Sequence, residues 1–217
     1  MPLSATKVSK ALADATEQLG ISLSAEATAH LLDYLALIAK WNKVYNLTAV
    51  RDPAEMMTHL LLDSLAVIAP LTKRMARGSL LDVGSGAGLP GVVIAICCPD
   101  IHVTCVDAVA KKATFIKQVA LELKLPNLVG LHARVETIAQ PFDVVCSRAF
   151  ASLVDFTQGS ANALSPTGLW LAMKGKHPAD ELAALPASVD VFHVEPLQVP
   201  GLGAERCIVW MSKKRLS

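Results

Sequence analysis

The chain has 217 residues and a mass of 23.0 kDa, with 53% hydrophobic and 18% charged residues. This length is typical of one or two domains with a sizeable core, and the composition excludes an intrinsically disordered protein. The net charge of +1 is low for a dedicated nucleic-acid-binding protein, so any contact with RNA or DNA would depend on local basic groups.

No signal for export or membrane insertion stands out in the sequence. The longest apolar stretches are Val92–Cys98, which ends before Pro99, and Leu60–Leu71, which contains Asp63. Both are shorter than the about 18 to 20 residues that a membrane-spanning helix needs. The N-terminal residues lack the apolar core of a signal peptide. The sequence therefore predicts a cytoplasmic protein without membrane contact.

The five cysteines predict neither a metal site nor a disulfide framework. No pair has CxxC spacing, and Cys105, Cys146 and Cys207 lie inside apolar runs. We interpret the cysteines as buried free thiols.

Residues 1 to about 75 have the pattern of helices. An apolar stripe with helical spacing is formed by Leu31, Leu35, Ile38, Trp41 and Tyr45. Ser24 is expected to begin this helix. A second start is predicted at Asp52, because its carboxylate can accept hydrogen bonds from the first turn and Pro53 suits the first helical position. This second helix is expected to reach about Ala69 and to stop at Pro70.

From residue 79 onward, short apolar runs alternate with helical patterns. Strands are predicted at Leu80–Val83, Val103–Val106, Leu128–Leu131, Val144–Cys146, Leu169–Met173, Val189–Val194 and Cys207–Met211. The intervening helices are predicted at Gly91–Cys97, Ala110–Leu123 and Leu153–Leu164. This alternation is typical of an α/β fold with a mostly parallel seven-stranded sheet and helices on both faces. The last two strands are expected to form an antiparallel pair. We divide the chain into a helical segment, residues 1–75, and an α/β domain, residues 76–217.

The strongest local signal directly follows the first predicted strand. The sequence there is Asp82-Val83-Gly84-Ser85-Gly86-Ala87-Gly88-Leu89-Pro90-Gly91. Glycine lets the backbone turn sharply and approach a ligand closely, and the helix that follows offers free N–H groups. Such a loop at the carboxyl end of a strand binds a nucleotide-type cofactor. Residues of the loop that we assign to this site are Gly84, Gly86, Gly88 and Leu89.

Three cofactor classes compete for this loop. A phosphate-binding P-loop is excluded because no lysine follows until Lys111. A dinucleotide fingerprint matches Gly86–Gly91 in letters, but the glycine nearest the strand is Gly84, so the register is wrong. S-adenosylmethionine (SAM) has no phosphate and needs no lysine. The loop favours SAM and leaves NAD as the alternative.

Three further strand ends complete the predicted cofactor site. Asp107 follows the second strand, where a carboxylate binds ribose hydroxyls in both SAM and NAD folds, or else caps the next helix. The backbone of Val135 and Glu136 would face the adenine if the strand order reverses at the first strand, and would otherwise form a surface turn. Arg148 ends the fourth strand and points into the ligand crevice, unless it forms a salt bridge with a nearby acid.

Several motifs occur in a specific order along the chain. They are Tyr45-Asn46-Leu47-Thr48, Asp52-Pro53, His59 with Leu62-Asp63-Ser64, the glycine loop, Arg134-Val135-Glu136, Ser147-Arg148-Ala149-Phe150 and Lys174-Gly175. Together they resemble the bacterial small-subunit ribosomal RNA guanine-N7 methyltransferases, the RsmG (GidB) family. The resemblance runs from about residue 20 to the C-terminus.

This resemblance implies a SAM-dependent methyltransferase fold with an N-terminal helical extension. It implies methyl transfer to N7 of a guanine in the decoding-region loop of 16S rRNA, with S-adenosylhomocysteine as the other product. The substrate would be the RNA within the small ribosomal subunit or an assembly intermediate, and the enzyme would be a monomer. Cofactor contacts that it implies are Gly84, Leu89, Val135, Glu136 and Arg148, with Asp107 at the ribose.

The chemistry agrees with a sequence that has no obvious catalytic dyad. Guanine N7 has a lone pair and no proton to lose, so no general base is required or assigned. The enzyme must mainly hold the methyl donor and acceptor in line. Arg148 and Lys174 end predicted strands and are candidates to orient the base, since N7 and O6 are acceptors.

Four residues of the helical segment are candidates to contact RNA. Asn46 and Arg51 lie in the loop between the two helices. His59 and Asp63 are four residues apart on one helical face, where they either line the mouth of the active site or pair with each other. The alternatives to the family's reaction are a SAM-dependent methyltransferase for another substrate, a NAD-binding module and a non-catalytic ribosome-assembly factor.

Overall fold

The computed structural model describes residues 5–214 and begins with a helical segment. Its elements are α1 (Ala5–Gln18), α2 (Ala25–Tyr45), α3 (Pro53–Met56), a π-helical segment (Met57–Leu62), α4 (Asp63–Leu65) and α5 (Ile68–Thr72). Both predicted helix starts are confirmed by their side-chain caps. Ser24 Oγ accepts a hydrogen bond from Ala27 N at 3.0 Å, and Asp52 Oδ1 accepts one from Ala54 N at 2.9 Å.

The rest of the described chain forms a seven-stranded sheet with intervening helices. Its elements are β1 (Gly78–Val83), α6 (Gly91–Cys97), β2 (Ile101–Asp107), α7 (Ala110–Glu122), β3 (Leu128–His132), β4 (Phe142–Arg148), α8 (Leu153–Gly159), β5 (Leu164–Lys174), α9 (Ala179–Ala183), β6 (Val189–Leu197) and β7 (Arg206–Lys213).

The strand order is β3-β2-β1-β4-β5-β7-β6. The first five strands in the chain pair in parallel, and β7 lies antiparallel between β5 and β6. The predicted fold class, including the antiparallel final pair, is therefore confirmed. The carboxyl ends of the parallel strands and the start of β7 meet at one edge of the sheet.

Two predicted helix ends are wrong. The helix that begins after Asp52 is interrupted at Ala66 and Val67, and Pro70 lies inside α5 instead of ending the helix. Pro70 is tolerated there because N–H groups in the first turn of a helix have no acceptor within the helix, so the missing N–H of proline breaks no helical hydrogen bond. The third predicted helix ends at Gly159, because Ser160 leaves the helical path and its Oγ accepts a hydrogen bond from Trp170 Nε1 at 2.9 Å.

Two apolar layers cover the two faces of the sheet. On one face, Leu31 and Ile38 of α2 belong to the same buried cluster as Val92 of α6 and Leu80 of β1. On the other face, Phe156 of α8 packs in a second cluster with its neighbouring strands. The N-terminal helices and the sheet therefore share one core.

The helical run Pro53–Thr72 is long and apolar enough to cross a membrane by length and composition, but 72% of its most apolar stretch is buried inside the protein. Burial against the sheet explains its apolar character, as in the core helix of a globular protein.

The cysteines are free thiols, as predicted. Cys97 is half-buried, and the other four are buried. Burial raises the pKa of the Cys105 and Cys146 thiols well above the usual value, which keeps both groups neutral and unreactive.

Candidate active site

A cavity of about 530 Å³ opens at the sheet edge where β1, β4 and β5 end. The strand order reverses between β1 and β4, and this is the place where open α/β sheets bind ligands. The glycine loop forms one wall and the segment after α2 contributes Leu47, Thr48 and Val50 to another. Charged and ionisable side chains that line the cavity are His59, Asp63, Arg148, Lys174 and Arg206.

The glycine loop exposes its backbone to this cavity. Gly84 and Gly86 have φ values of 64° and 59°, in the left-handed region that favours glycine. A Cβ on Gly86 would meet no atom within 4 Å, whereas one on Gly84 would lie 3.0 Å from the ring of Phe150. Leu89 lines the cavity, but Gly88 does not, because its α-carbon faces Val92 in the interior.

Two buried side chains from distant parts of the chain fix the loop. Asp107, the last residue of β2, accepts hydrogen bonds from Gly86 N at 3.0 Å and from Val109 N at 2.8 Å. Tyr34 of α2 donates its hydroxyl to the carbonyl oxygen of Ala87 at 2.7 Å. The sheet and the N-terminal helices therefore hold the loop from two sides.

The predicted ribose and adenine residues lie beyond the cavity lining. Asp107 is only 6% exposed and sits behind the loop, with Lys112 Nζ 3.6 Å from its carboxylate. Val135 and Glu136 form a 3₁₀ turn after β3, with Val135 buried and Glu136 exposed. The strand order that their assignment required, a reversal at β1, is present.

Arg148 satisfies both of its sequence interpretations at once. It lines the cavity, and its Nη1 donates to Asp63 Oδ2 at 3.1 Å and to the backbone oxygen of His59 at 2.9 Å. The second oxygen of Asp63 accepts a hydrogen bond from Arg206 Nε at 2.9 Å. The Asp63 side chain is 5% exposed, so this buried carboxylate is shared by two guanidinium groups. The predicted pairing of His59 with Asp63 is replaced by these contacts, and both residues line the cavity.

Lys174 also lines the cavity, but its ammonium group is held by protein partners. Its Nζ lies 2.7 Å from Glu181 Oε2 and donates to the Ala151 oxygen at 3.1 Å. Glu181 in turn accepts from Leu153 N, which ties α8 to α9.

Asn46 and Arg51 lie outside the cavity lining, on the exposed face of the loop that follows α2. Arg51 Nη2 donates to Asn46 Oδ1 at 2.8 Å. Buried Asn42 fixes the inner face of the same loop through Thr48 N and the Val50 oxygen. The loop thus presents its apolar side to the cavity and its polar pair to solvent.

Sequence reasoning missed Arg206, Phe150 and Tyr34 as parts of this site. Arg206 begins a strand, and only the antiparallel insertion of β7 beside β5 brings it to the carboxyl edge of the sheet. The hydroxyl of Tyr34 lies on an otherwise apolar helix face, and a buried tyrosine hydroxyl needs a partner. This hydroxyl group was the one feature of the sequence that could have indicated a contact between α2 and another part of the chain.

The loop fits a nucleoside cofactor with polar groups. The Oγ of Ser85, at the loop's centre, is buried in the cavity wall, and the thiol of Cys105, a weak hydrogen-bond partner, is its only partner among the described residues. A buried polar atom with only a weak protein partner can be satisfied by a ligand or by water. Together with the open backbone at Gly86, this is a cradle that SAM can occupy.

The family model described as rRNA small subunit methyltransferase G (GidB) matches residues 27–209. The chain belongs to this family. The matched range covers the helical segment from α2 onward and nearly the whole sheet. Membership makes the chain a methyltransferase, in agreement with the resemblance noted in the sequence.

Curated relatives agree with this assignment. A "Ribosomal RNA small subunit methyltransferase G" from Polaromonas sp. (strain JS666 / ATCC BAA-500) is 68% identical over 202 residues, covering 90% of this chain and 89% of the relative. The protein of that name from Acidovorax ebreus (strain TPSY) is 62% identical over 219 residues, covering 96% and 97%.

Among solved structures, TrmN from Thermus thermophilus superposes with a TM-score of 0.57 at 20% identity, covering 69% of this chain and 48% of that chain. A SAM-dependent methyltransferase from Aquifex aeolicus gives a TM-score of 0.54 at 16% identity, covering 74% and 93%. These likenesses confirm the methyltransferase fold.

A buried carboxyl group lies directly behind the glycine loop. Asp82 Oδ2 accepts a hydrogen bond from Gly91 N at 2.8 Å, and the thiol of Cys146 also lies beside the carboxyl group. Burial raises the pKa of Asp82 to about 7, although the Gly91 hydrogen bond and the charge of Arg148 oppose the shift. The folded protein therefore binds this proton more tightly than the unfolded chain.

This shift predicts a pH dependence of stability. The contribution of Asp82 to the free energy of unfolding should fall as pH rises from about 4 to about 7, because the ionised carboxylate is buried. Asp82→Asn should therefore become more stable relative to the unsubstituted protein between pH 5 and pH 8, by roughly 2 to 3 kcal/mol. Urea unfolding at both pH values measures this difference. Asp100→Asn, at an exposed carboxyl, is the control, and an equal difference for Asp82→Asn at both pH values would refute the prediction.

Proposed function

We propose that the chain transfers a methyl group from SAM to N7 of a guanine in the decoding-region loop of 16S rRNA. The observation that carries this proposal is one cavity that joins a glycine loop to a pair of arginines, in a chain of the small-subunit rRNA methyltransferase family. The name of the relatives, ribosomal RNA small subunit methyltransferase G, supports an RNA substrate.

On the cofactor side, the open backbone of the glycine loop supports SAM, and we propose that the carboxylate of Asp107, behind this loop, accepts hydrogen bonds from the ribose hydroxyls. Asp107 already accepts two backbone N–H groups, yet a carboxylate has about four lone-pair sites. The residues that we propose for the cofactor are Gly84, Gly86, Leu89, Asp107, Val135, Glu136 and Arg148, whereas Gly88 faces the interior and is not among them.

The proposed reaction needs positioning rather than proton transfer. SAM supplies an electrophilic methyl group on a sulfonium, which the N7 lone pair attacks as the carbon–sulfur bond breaks and its electron pair stays on sulfur. No proton is lost, and the positive charge passes from sulfur to the purine. The walls of the cavity must hold the base in line, which supplies several kcal/mol without an ionisable catalyst.

This chemistry limits what a cationic side chain can do to the base. A donor that hydrogen-bonds to N7 would occupy the lone pair that must attack. Arg148 or Lys174 can therefore orient the guanine only through O6. The single nitrogen of Lys174 is already held by Glu181, whereas Arg148 is held by the described residues through Nη1 alone, which makes Arg148 the better placed of the two.

On the substrate side, we propose that residues 1–75 form the RNA-facing extension of a SAM domain at residues 76–217. The residues of this segment that we propose for RNA are Asn46 and Arg51, on the exposed loop after α2, and His59 and Asp63, which line the cavity together with Lys174. The substrate is 16S rRNA within the small ribosomal subunit or an assembly intermediate. The enzyme acts as a cytoplasmic monomer, and its low net charge predicts modest, salt-sensitive affinity for free RNA.

Methyl transfer to ribosomal particles tests the function directly. The protein is incubated with methyl-labelled SAM and small subunits that lack N7-methylguanosine, and the RNA is digested to nucleosides. Label is expected in N7-methylguanosine at one site. Label in another nucleoside would support a SAM-dependent RNA methyltransferase but would refute the assignment of guanine N7 as the acceptor. Particles that already carry the modification serve as the control and should accept no label.

A second prediction concerns the cofactor. Asp107→Ala removes the acceptor for Gly86 N and for the ribose, so the Kd for SAM should rise at least about tenfold, the loss of one charge-assisted hydrogen bond. Titration calorimetry with SAM and with NAD measures both affinities. Asp100→Ala, at an exposed carboxyl, is the matched control. Binding of NAD in preference to SAM would support the alternative module and contradict this account.

A further inference from the structure

The cavity contains more positive charge than its carboxylates balance. Arg148 and Arg206 share the single carboxylate of Asp63, so the three side chains together carry a net charge of +1. The two guanidinium groups are partly open, with 20% and 23% of their side chains exposed, whereas Asp63 is 5% exposed. In this cluster, the buried Asp63 carboxylate fixes two guanidinium groups, and both arginines line the cavity.

Arg148 and Arg206 belong to different parts of the site. Arg148 ends β4, which is the direct neighbour of β1 and its glycine loop. Arg206 begins β7, which lies two strands further along the sheet, so their backbones are about 10 Å apart at the usual strand spacing. Arg148 therefore stands on the cofactor side of Asp63, and Arg206 stands on the side away from the loop.

The hydrogen bonds among the described residues leave one edge of Arg206 for a ligand. Its Nε donates to Asp63 and its Nη1 donates to the Glu205 oxygen at 2.9 Å. Nη2 is engaged by neither of these contacts. A guanidinium group fixed on two edges is pre-organised, so little side-chain freedom is lost when its third edge binds an anion.

Arg206 lies next to elements that line the cavity. The turn between β6 and β7 packs on the π-helical segment, where a Cβ on Gly201 would lie 3.9 Å from Thr58 Oγ1. The same π-helical segment supplies His59 to the cavity and leads directly into Asp63. π-helical segments inside α-helices occur frequently at functional sites.

We propose that Arg206 binds a phosphate of the RNA chain next to the target guanine, and that Asp63 is the positioning residue that separates it from Arg148. This inference rests on the proposed function, because it names the part of the RNA that the cavity grips. Arginine suits phosphate because its planar fork of donors matches the oxyanion. The other anion that reaches this cavity is the SAM carboxylate, and the experiment must separate the two.

The test compares Arg206→Gln with Arg206→Lys in the intact protein, by steady-state methylation of small subunits and by SAM titration. Arg206→Gln should raise the KM for the particle about tenfold and should reduce the steepness of its log–log salt dependence by about 0.7 to 1. The Kd for SAM should stay within about twofold, since Arg148 is retained. Arg206→Lys should keep the salt dependence, because the charge remains, while its KM rises because the fork is lost.

Arg77→Gln is the matched control. It removes an exposed arginine beside the start of β1, at the opposite edge of the sheet, and should leave KM and salt dependence unchanged. An unchanged KM and salt dependence in Arg206→Gln would overturn the inference. A weakened SAM affinity with normal RNA kinetics would overturn it as well, by assigning Arg206 to the SAM carboxylate. A failure of the unsubstituted protein to methylate the RNA would instead refute the proposed function, so the two failures are distinguishable.

Discussion

The structure depends on one buried carboxylate that must satisfy two guanidinium groups. Asp63 belongs to the helical segment, Arg148 to the end of β4 and Arg206 to the start of β7. A buried charge is tolerated only when it is paired and hydrogen-bonded, so these three distant parts of the chain must come together for any of them to be stable. The ion pairs of Asp63 with Arg148 and Arg206 join these parts of the chain, and all three residues line the cavity.

The same helical segment controls the opposite wall. Tyr34 of α2 donates to the Ala87 oxygen while Asp107 of β2 accepts from Gly86 N, so the glycine loop is held by a helix and a strand at once. The N-terminal helices therefore help to fix the glycine loop that lines the cavity. An RNA that contacts these helices meets a surface that is continuous with the cofactor loop.

Local patterns in the sequence predict most of this architecture. Apolar runs bounded by turn residues identify all seven strands, and the closely spaced glycines identify the loop that lines the cavity, because both signals lie within a few consecutive residues. Pro70 leads to a wrong prediction of a helix end. A proline that ends one helix and a proline in the first turn of the next helix cannot be distinguished in the sequence. The Asp63–Arg206 contact could not be predicted, because the two residues are 143 positions apart and meet only when β7 inserts between β5 and β6.

The most direct test of this account is to measure two affinities in Asp63→Asn. The substitution keeps the size of the side chain and removes the charge that holds both arginines. The account predicts that the Kd for SAM and the KM for the small subunit both increase, with circular dichroism showing a folded protein, because Arg148 and Arg206 lose their shared anchor. If the folded variant binds both ligands as the unsubstituted protein does, Asp63 does not position the arginines, and the account is contradicted.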